Sequence, residues 1–558
     1  MSSIKAEYDR KLAARDNWHQ IWQILGEYVS QVKQNYEITP QNGEFLQDDV
    51  YDSTGTFAAN NCASALLGML WPASAAQNIE LSPPDDMDTD STAVAEFYER
   101  MTKRLTTAMD SPSSNLSIAL DEYMLDQVII GTSGIGVEFD EDGQPYYTPY
   151  GVKEMVYATG RRGKVTDIYL AFEWEAQRVV DTYGEESVSK EVRDAVKEGG
   201  YKKIKIIHAI RERKEKKAEE GSLAMPYESI HIEYASEHPL KETGFHEMPI
   251  SVGRFRKLNY EDYGRSPAMN ALPDIREANA LKEAVILATE KNLDPPMGVV
   301  SDGVLGGGDI DTSAGSYTVF DASGSVGGKN PIFPLQTVGS LADAMARLED
   351  LKDSISQHFY IDRLLDLNND QQMTFGEAQI RDQLRTSSLS SLLSRQIAEV
   401  ITPVIERTVA GMWRAGAFGV LAGSEEEAEA IARGEEPEHF PDEVAERLNG
   451  GKDIYTIRYK TKAATAARAQ EYMSILDLMN IGAQFIQLDS GLRHRIDFHE
   501  GIKVLASIRG TPTALIRQDD EVEQLAQQDR QQQEAAQALE AGGQLAQIGK
   551  TVAEAEAK

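Results

Sequence analysis

The chain has 558 residues, 41% of them hydrophobic and 8% aromatic, which gives room for roughly four domains and excludes global disorder. Asp and Glu outnumber Lys and Arg by 90 to 56, a net charge of −34; a clamp that grips nucleic acid through its phosphates needs an excess of cations, so this balance argues against one. The single cysteine, Cys62, excludes an intrachain disulfide and a cysteine-built zinc site within one chain.

Residues 3–33 read as a helix with Trp18, Ile21, Leu25 and Val29 on one face. Charges every few residues in this stretch do not make a signal peptide, and no uninterrupted apolar run approaches the roughly 20 residues that span a bilayer, so a soluble protein is expected. Asp52 to Trp71 predicts a second helix, stopped by Pro72. Its small side chains allow close approach, so it should be buried. Two more helices are predicted over 91–109 and 115–130. Between Gly134 and about Asn259 the pattern changes to strands: IGVEFD before the turn EDGQ, KVTDIYLAFEW, KKIKIIHAI and ESIHIEYA.

Helix returns at Pro273 and runs to about Leu293, where Pro295 and Pro296 stop it because neither can donate a backbone hydrogen bond. Residues 297–338 hold short strands (MGVV, SYTVF, PIF) among glycines. Ser340 to Tyr360 predicts an amphipathic helix through Leu341, Met345, Leu348, Leu351, Ile355 and Phe359, with Ser340 and Asp343 as a capping box. Residues 366–373 are polar and expected to be irregular. Thr374-Phe-Gly-Glu377 fits a second capping box and opens a long helix through Ile380, Leu384, Leu392, Ile397 and Val400. Pro403 should kink this helix before it resumes to about Arg414. Residues 425–446 carry ten acids against one base, Arg433. A strand (IYTIRYK), helices over most of 464–508 and a Gln/Ala-rich tail complete the chain. The fold class is α+β, mainly helical.

Catalytic patterns fail on inspection. Gly324 to Asn330 comes closest to a phosphate loop, but three residues separate the outer glycines instead of four. Lys329 is followed by Asn330 where Ser or Thr must ligate magnesium. Asp86, Asp88 and Asp90 begin like a calcium loop, yet Ser91 and Phe97 occupy the glycine and glutamate positions. His494, Asp497, His499 and Glu500 are the densest set of metal-ligand types, without the order that sets two ligands and a base on one helical face. No catalytic residue, metal or cofactor is therefore expected.

Two stretches, YDSTGTFAANNCASALLGMLWPA (51–73) and YGRSPAMNALPDIREANALKEAVILATEKNLDPPMG (263–298), resemble the head-to-tail connector (portal) family of short-tailed bacteriophages. The segment TKAATAARAQEY (461–472) is similar to a short Arg-Ala-Gln stretch late in these proteins, and the order of elements between also matches. The resemblance spans about residues 5–510 and its motifs are structural. It implies a homo-oligomeric ring of about twelve subunits at one capsid vertex, through which double-stranded DNA is packaged and ejected. It implies an α/β wing over 1–264 and 375–463, stem helices over 265–292 and 339–360, and a small β-containing clip over 293–338. A tunnel loop would occupy 361–374, and a helical crown and tail 464–558. Asn368, Asn369, Asp370, Gln371 and Gln372 would face the DNA channel, with Arg363 and Lys291 as cationic channel contacts. The partners implied are the terminase packaging motor, tail adaptor proteins, and capsid and scaffolding proteins, with no membrane. The expected location is the virion's portal vertex, after assembly in the host cytoplasm. Two alternatives compete: another helical virion or scaffold assembly protein, separable by ring symmetry in micrographs, and an acidic metal-dependent hydrolase built on the cluster near His494, separable by metal analysis.

Overall fold

The computed structural model describes residues 3–30, 50–72, 74–84, 86–87, 92–161, 163–214, 221–301, 311–321, 332–335, 341–364, 389, 391–424, 427, 431, 438–460, 474–482, 501–502 and 504–505. The chain divides into two compact units, Met1–Ala464 and Thr465–Lys558. In the second, residues 474–482 are helical, and a Cβ at Gly501 would lie 3.0 Å from the Met479 sulfur.

The first unit opens with α1 (Ile4–Ala13) and α2 (Asp16–Tyr28). The single helix expected over 3–33 is therefore two. The break falls at Arg15, which is 2% exposed. Its Nη1 donates to the carbonyls of Val152 (2.7 Å) and Met155 (2.9 Å), so a distant loop captures the side chain and fixes the turn. Helix α3 (Thr54–Leu70) lacks charge entirely and buries Ala58, Ala59, Cys62 and Ala63, as its small residues predict. After α4 (Ala75–Asn78) and β1 (Ile79–Ser82) come α5 (Thr92–Met109) and α6 (Leu116–Ile129).

The strand-rich region forms two antiparallel sheets. β2 (Thr132–Phe139) lies between β3 (Pro145–Gly151) and β9 (Ile250–Arg254). The turn after β2 is the predicted hairpin: Asp140 Oδ1 accepts from the amides of Asp142 and Gln144, and Gly143 takes φ 74°. The second sheet is a five-stranded meander of β4 (Met155–Thr159), β5 (Val165–Glu175), β6 (Lys203–Glu212), β7 (Tyr227–Glu233) and β8 (Pro239–Phe245). Two short helices that the strand pattern concealed, α7 (Ala176–Tyr183) and α8 (Lys190–Lys197), pack Val179 and Val192 with Ile206. The neighbouring Ile207 joins Tyr8 of α1 in a separate cluster, because successive strand residues point to opposite faces.

Helix α9 (Pro267–Leu293) begins six residues before the expected start at Pro273. Ser266 caps it by accepting from the Met269 amide at 3.0 Å, and Pro267 sits at the first turn, where a missing N–H costs nothing. Pro273 lies inside the helix, exposed. A three-stranded sheet follows: β10 (Met297–Ser301) pairs in parallel with β11 (Tyr317–Asp321) and antiparallel with β12 (Ile332–Pro334). Helix α10 (Ala342–His358) then buries Leu348, Leu351 and Ile355. Its N-cap is Leu341, whose side chain makes no capping bond; Ser340 of the expected capping box lies outside the described residues, and Met345 of the predicted apolar stripe is 56% exposed. Short α11 (Ile361–Leu364) follows.

Residues 391–396 are helical and lead into a π-turn at Ile397–Ile401, then α12 (Thr402–Arg414). The kink expected at Pro403 takes this form: proline cannot donate to the previous turn, and the Thr402 amide bonds back to the Ile397 carbonyl. The Thr374 capping box lies outside the described residues. After α13 (Asp442–Asn449), β13 (Thr456–Tyr459) pairs with β1 and ties the end of the unit to its start.

Candidate functional site

Of the sequence-predicted site residues, Lys291 lies on α9 and Arg363 on α11, which follows α10. Helices α9 and α10 run antiparallel, because Glu277 meets Arg347 (2.9 Å) while Asp274, earlier in α9, meets Ser354 later in α10 (2.6 Å). His358 Nε2 lies 3.5 Å from the same Asp274 carboxylate. Apolar contacts close the pair along Ile275, Ala278, Leu348, Leu351 and Ile355, and a Cβ at Gly55 of α3 would come within 3.0 Å of Ile275. The two helices carry eight carboxylates against five Lys and Arg, so their polar faces are net acidic.

Beyond the C-terminal end of α9, a tight turn returns the chain toward the small sheet. Gly315 adopts φ 71° and donates its amide to Asp294 O at 2.9 Å. Any side chain there would strike the Asp294 carboxylate, so glycine is required. Asp311 accepts from the Ser313 hydroxyl and amide, which holds its carboxyl below the usual range. Neither β11 nor β12 has a second strand neighbour among the described residues. Apolar side chains stand in solvent nearby: Leu287, Leu293 and Tyr317 are 50%, 82% and 71% exposed.

Lys291 occupies the last turn of α9, half-buried, where a cation complements the helix dipole. Arg363 belongs to α11, after the opposite end of the pair, where His358 approaches Asp274. The two residues are not brought together: the helix between Asp274 and Lys291 is roughly 25 Å long at 1.5 Å per residue. Asn368, Asn369, Asp370, Gln371 and Gln372 lie outside the described residues, as do Gly324–Asn330 and the cluster His494, Asp497, His499 and Glu500. Asp86 is paired with Arg447 at 2.9 Å, which lowers its pKa, and Asp88 and Asp90 are not described. Among the described residues no three or more His, Cys, Asp or Glu are grouped to hold a metal ion, and no helix is long and apolar enough to cross a membrane.

Sequence reasoning missed the buried polar junction between β9 and the π-turn. Glu399 Oε2 accepts from the Arg254 backbone amide (3.0 Å) and Nε (3.2 Å), and Oε1 accepts from Nη2 (2.9 Å). Gln396 donates to the Arg254 carbonyl at 3.1 Å and accepts from the Tyr123 hydroxyl. Burial raises the Tyr123 pKa well above its usual value, so the phenol remains a donor. In the sequence the junction shows only as two opposite charges, Arg254 and Glu399, separated by 145 positions.

Residues 2–516 match the family described as bacteriophage head to tail connecting protein. The probable portal protein of Bordetella phage BPP-1 is 26% identical over 402 residues, 71% of each chain. The portal protein of Salmonella phage epsilon15 is 23% identical over 536 residues, 93% of this chain and 90% of that one. A chain from the virion of a native gene transfer agent particle aligns at 14% identity over 69% of this chain and 92% of that chain, with a TM-score of 0.29, too loose to define the fold.

Proposed function

The chain belongs to the bacteriophage head to tail connecting proteins and serves as a phage head-tail connector, a component of the virion, and from that premise we propose that it forms a ring of about twelve copies around a DNA channel. In this reading α9 and α10 are the stem, residues 293–338 the clip, 361–374 the tunnel loop, 464–558 the crown and tail, and the remainder the wing. The clip faces the terminase motor during packaging and the tail adaptors afterwards, while capsid and scaffolding proteins surround the wing. Assembly takes place in the host cytoplasm. The chain itself performs no catalysis, and the motor supplies the energy of packaging.

The observation that carries the reading is the helix pair bracketing a three-stranded sheet whose outer strands lack neighbours among the described residues. A module of about forty residues is too small to be stable alone, and open strand edges with exposed Leu293 and Tyr317 favour pairing with adjacent copies. The net charge of −34 per copy suits a conduit, since carboxylates repel phosphate and discourage counterion-releasing contacts that would trap DNA. Lys291 and Arg363 then supply sparse cationic rings at two heights of the stem, and Asn368 to Gln372 offer weak contacts at the loop. Negative-stain images and native mass measurement of the purified chain test this: rings near twelve copies are expected. A particle that stays monomeric at micromolar concentration under every assembly condition tried would sink it.

A further inference from the structure

On a chain of net charge −34, one pocket of the first unit is lined by four cations and a single carboxylate. It has a volume of about 400 Å³ and opens to solvent. Arg161 and Gly163 come from the turn between β4 and β5, Arg254 from the end of β9, Lys257 and Asn259 from the loop after it, and Arg395 and Glu399 from the helix that becomes the π-turn.

The carboxylate is already engaged. Glu399 holds the Nε and Nη2 edge of Arg254 and accepts a longer contact of 3.4 Å from Arg395. Arg254 Nη2 also donates to Gly163 O at 3.0 Å. Arg254 is 5% exposed, yet its Nη1 has no hydrogen-bond partner among the described residues. A buried guanidinium with an unmet donor carries a desolvation cost that an acceptor would relieve. Gly163, at φ 73°, leaves space for the Lys257 amine, which lies 3.0 Å from where a Cβ would stand. No carboxylate pairs with Arg161 or Lys257 among the described residues.

We propose that this pocket binds a phosphate group, held by Arg254, Lys257, Arg161 and Arg395, with the Asn259 amide at its wall. Glu399 and the Gly163 carbonyl take up Nε and Nη2, which orients the Arg254 guanidinium and leaves Nη1 as its donor for a phosphate oxygen. The excess of three positive charges over the lining carboxylate exceeds what one side-chain carboxylate would balance and suits a phosphate with its attached group. The phosphate comes either from a free or esterified small molecule or from the DNA backbone; the proposal needs no ring and stands if the stoichiometry above is wrong.

The test uses the full chain. Its melting midpoint and its heat of binding are followed as sodium phosphate is added, against sodium chloride at matched ionic strength. A saturable effect specific to phosphate is expected, weakened at least tenfold by Lys257→Glu and by Arg161→Glu. Both side chains reach solvent, so the variants should melt normally without phosphate; Lys257→Gln, which removes the charge without reversing it, serves as a milder check. A short DNA duplex is then added as competitor. Competition lost in the same variants identifies the DNA backbone as the source, and phosphate binding without competition identifies a small phosphate; either upholds the site. Absence of a saturable phosphate effect in the unsubstituted chain, or its retention in the Arg161→Glu/Lys257→Glu double variant, overturns the proposal.

Discussion

Replacing Glu399 with Ala should be among the most damaging single changes in the first unit, although its side chain is 19% exposed and lies on a helix. The substitution removes the acceptor of three hydrogen bonds from Arg254 and leaves a guanidinium whose side chain is 6% exposed without its counter-charge. Breaking a buried ion pair from one side costs about 3–5 kcal/mol, most of it the desolvation of the charge left behind. At roughly 2 cal/mol/K of unfolding entropy per residue over Met1–Ala464, each kcal/mol moves the melting midpoint by about 1 °C, so a fall of about 3–5 °C is expected. Calorimetry of Glu399→Ala, Arg254→Met and the double variant reads this out. Because the double variant leaves no orphan charge, it should lose clearly less than the two single losses added together. Additive losses within about 0.5 kcal/mol would refute the view that the pair acts as one energetic unit.

Three further outcomes follow from other parts of the chain. His208 and His231 stack with ring centroids 3.8 Å apart, and burial lowers both, His231 to about 4; their folded pKa values lie below the unfolded value near 6.5, so stability is full above that pH and falls as the pH drops toward 4, by about 3 kcal/mol for His231 alone. Melting profiles between these pH values should flatten in His231→Gln, and an unchanged profile would exclude the pair as the cause. Gly253→Ala should destabilise by about 1–3 kcal/mol or more, because the new methyl meets the Tyr123 hydroxyl and would lie 2.7 Å from Val400 Cγ2; denaturation midpoints check it, and a neutral effect would show that the π-turn yields easily. In the proposed tunnel loop, replacing Asn368, Asn369 and Asp370 with Lys should leave the proposed rings intact but slow DNA packaging or ejection, with the defect easing as salt rises, since added cations bind phosphate through counterion release; unchanged passage in assembled variant rings would show that the loop does not set it.

Local rules read the fold well wherever local forces decide it. The Asp140–Gly143 hairpin, the uncharged α3 and the Leu348–Leu351–Ile355 stripe of α10 follow from turn chemistry and periodicity alone. They fail where a distant partner intervenes. Nothing near Arg15 announces that carbonyls at 152 and 155 will interrupt a helix. Ser266 starts α9 six residues ahead of Pro273, where periodicity and the proline place its first turn. The parallel pairing of β10 with β11 requires a connection that short strands among glycines do not reveal.

The same distinction separates the legible from the illegible parts of the candidate sites. Lys291 and Arg363 are channel candidates by their places near the stem–clip junction and beside the polar loop, and they lie near opposite ends of the α9–α10 pair. The phosphate pocket draws Arg161, Arg254, Lys257 and Arg395 from three separate stretches, none of them basic enough to stand out within a chain of net charge −34. One of the three stretches carries the π-turn at Ile397–Ile401, just before Pro403. A straight helix would carry its side chains past β9 at the usual 3.6-residue period; the π-turn adds a residue to one turn and shifts the phase. In the resulting register Glu399 reaches the end of β9 and Arg395, one turn earlier, reaches the pocket wall. The π-turn beside Pro403 holds Glu399, a member of both the junction and the pocket, and a sequence rule that treats proline only as a helix breaker does not anticipate that turn.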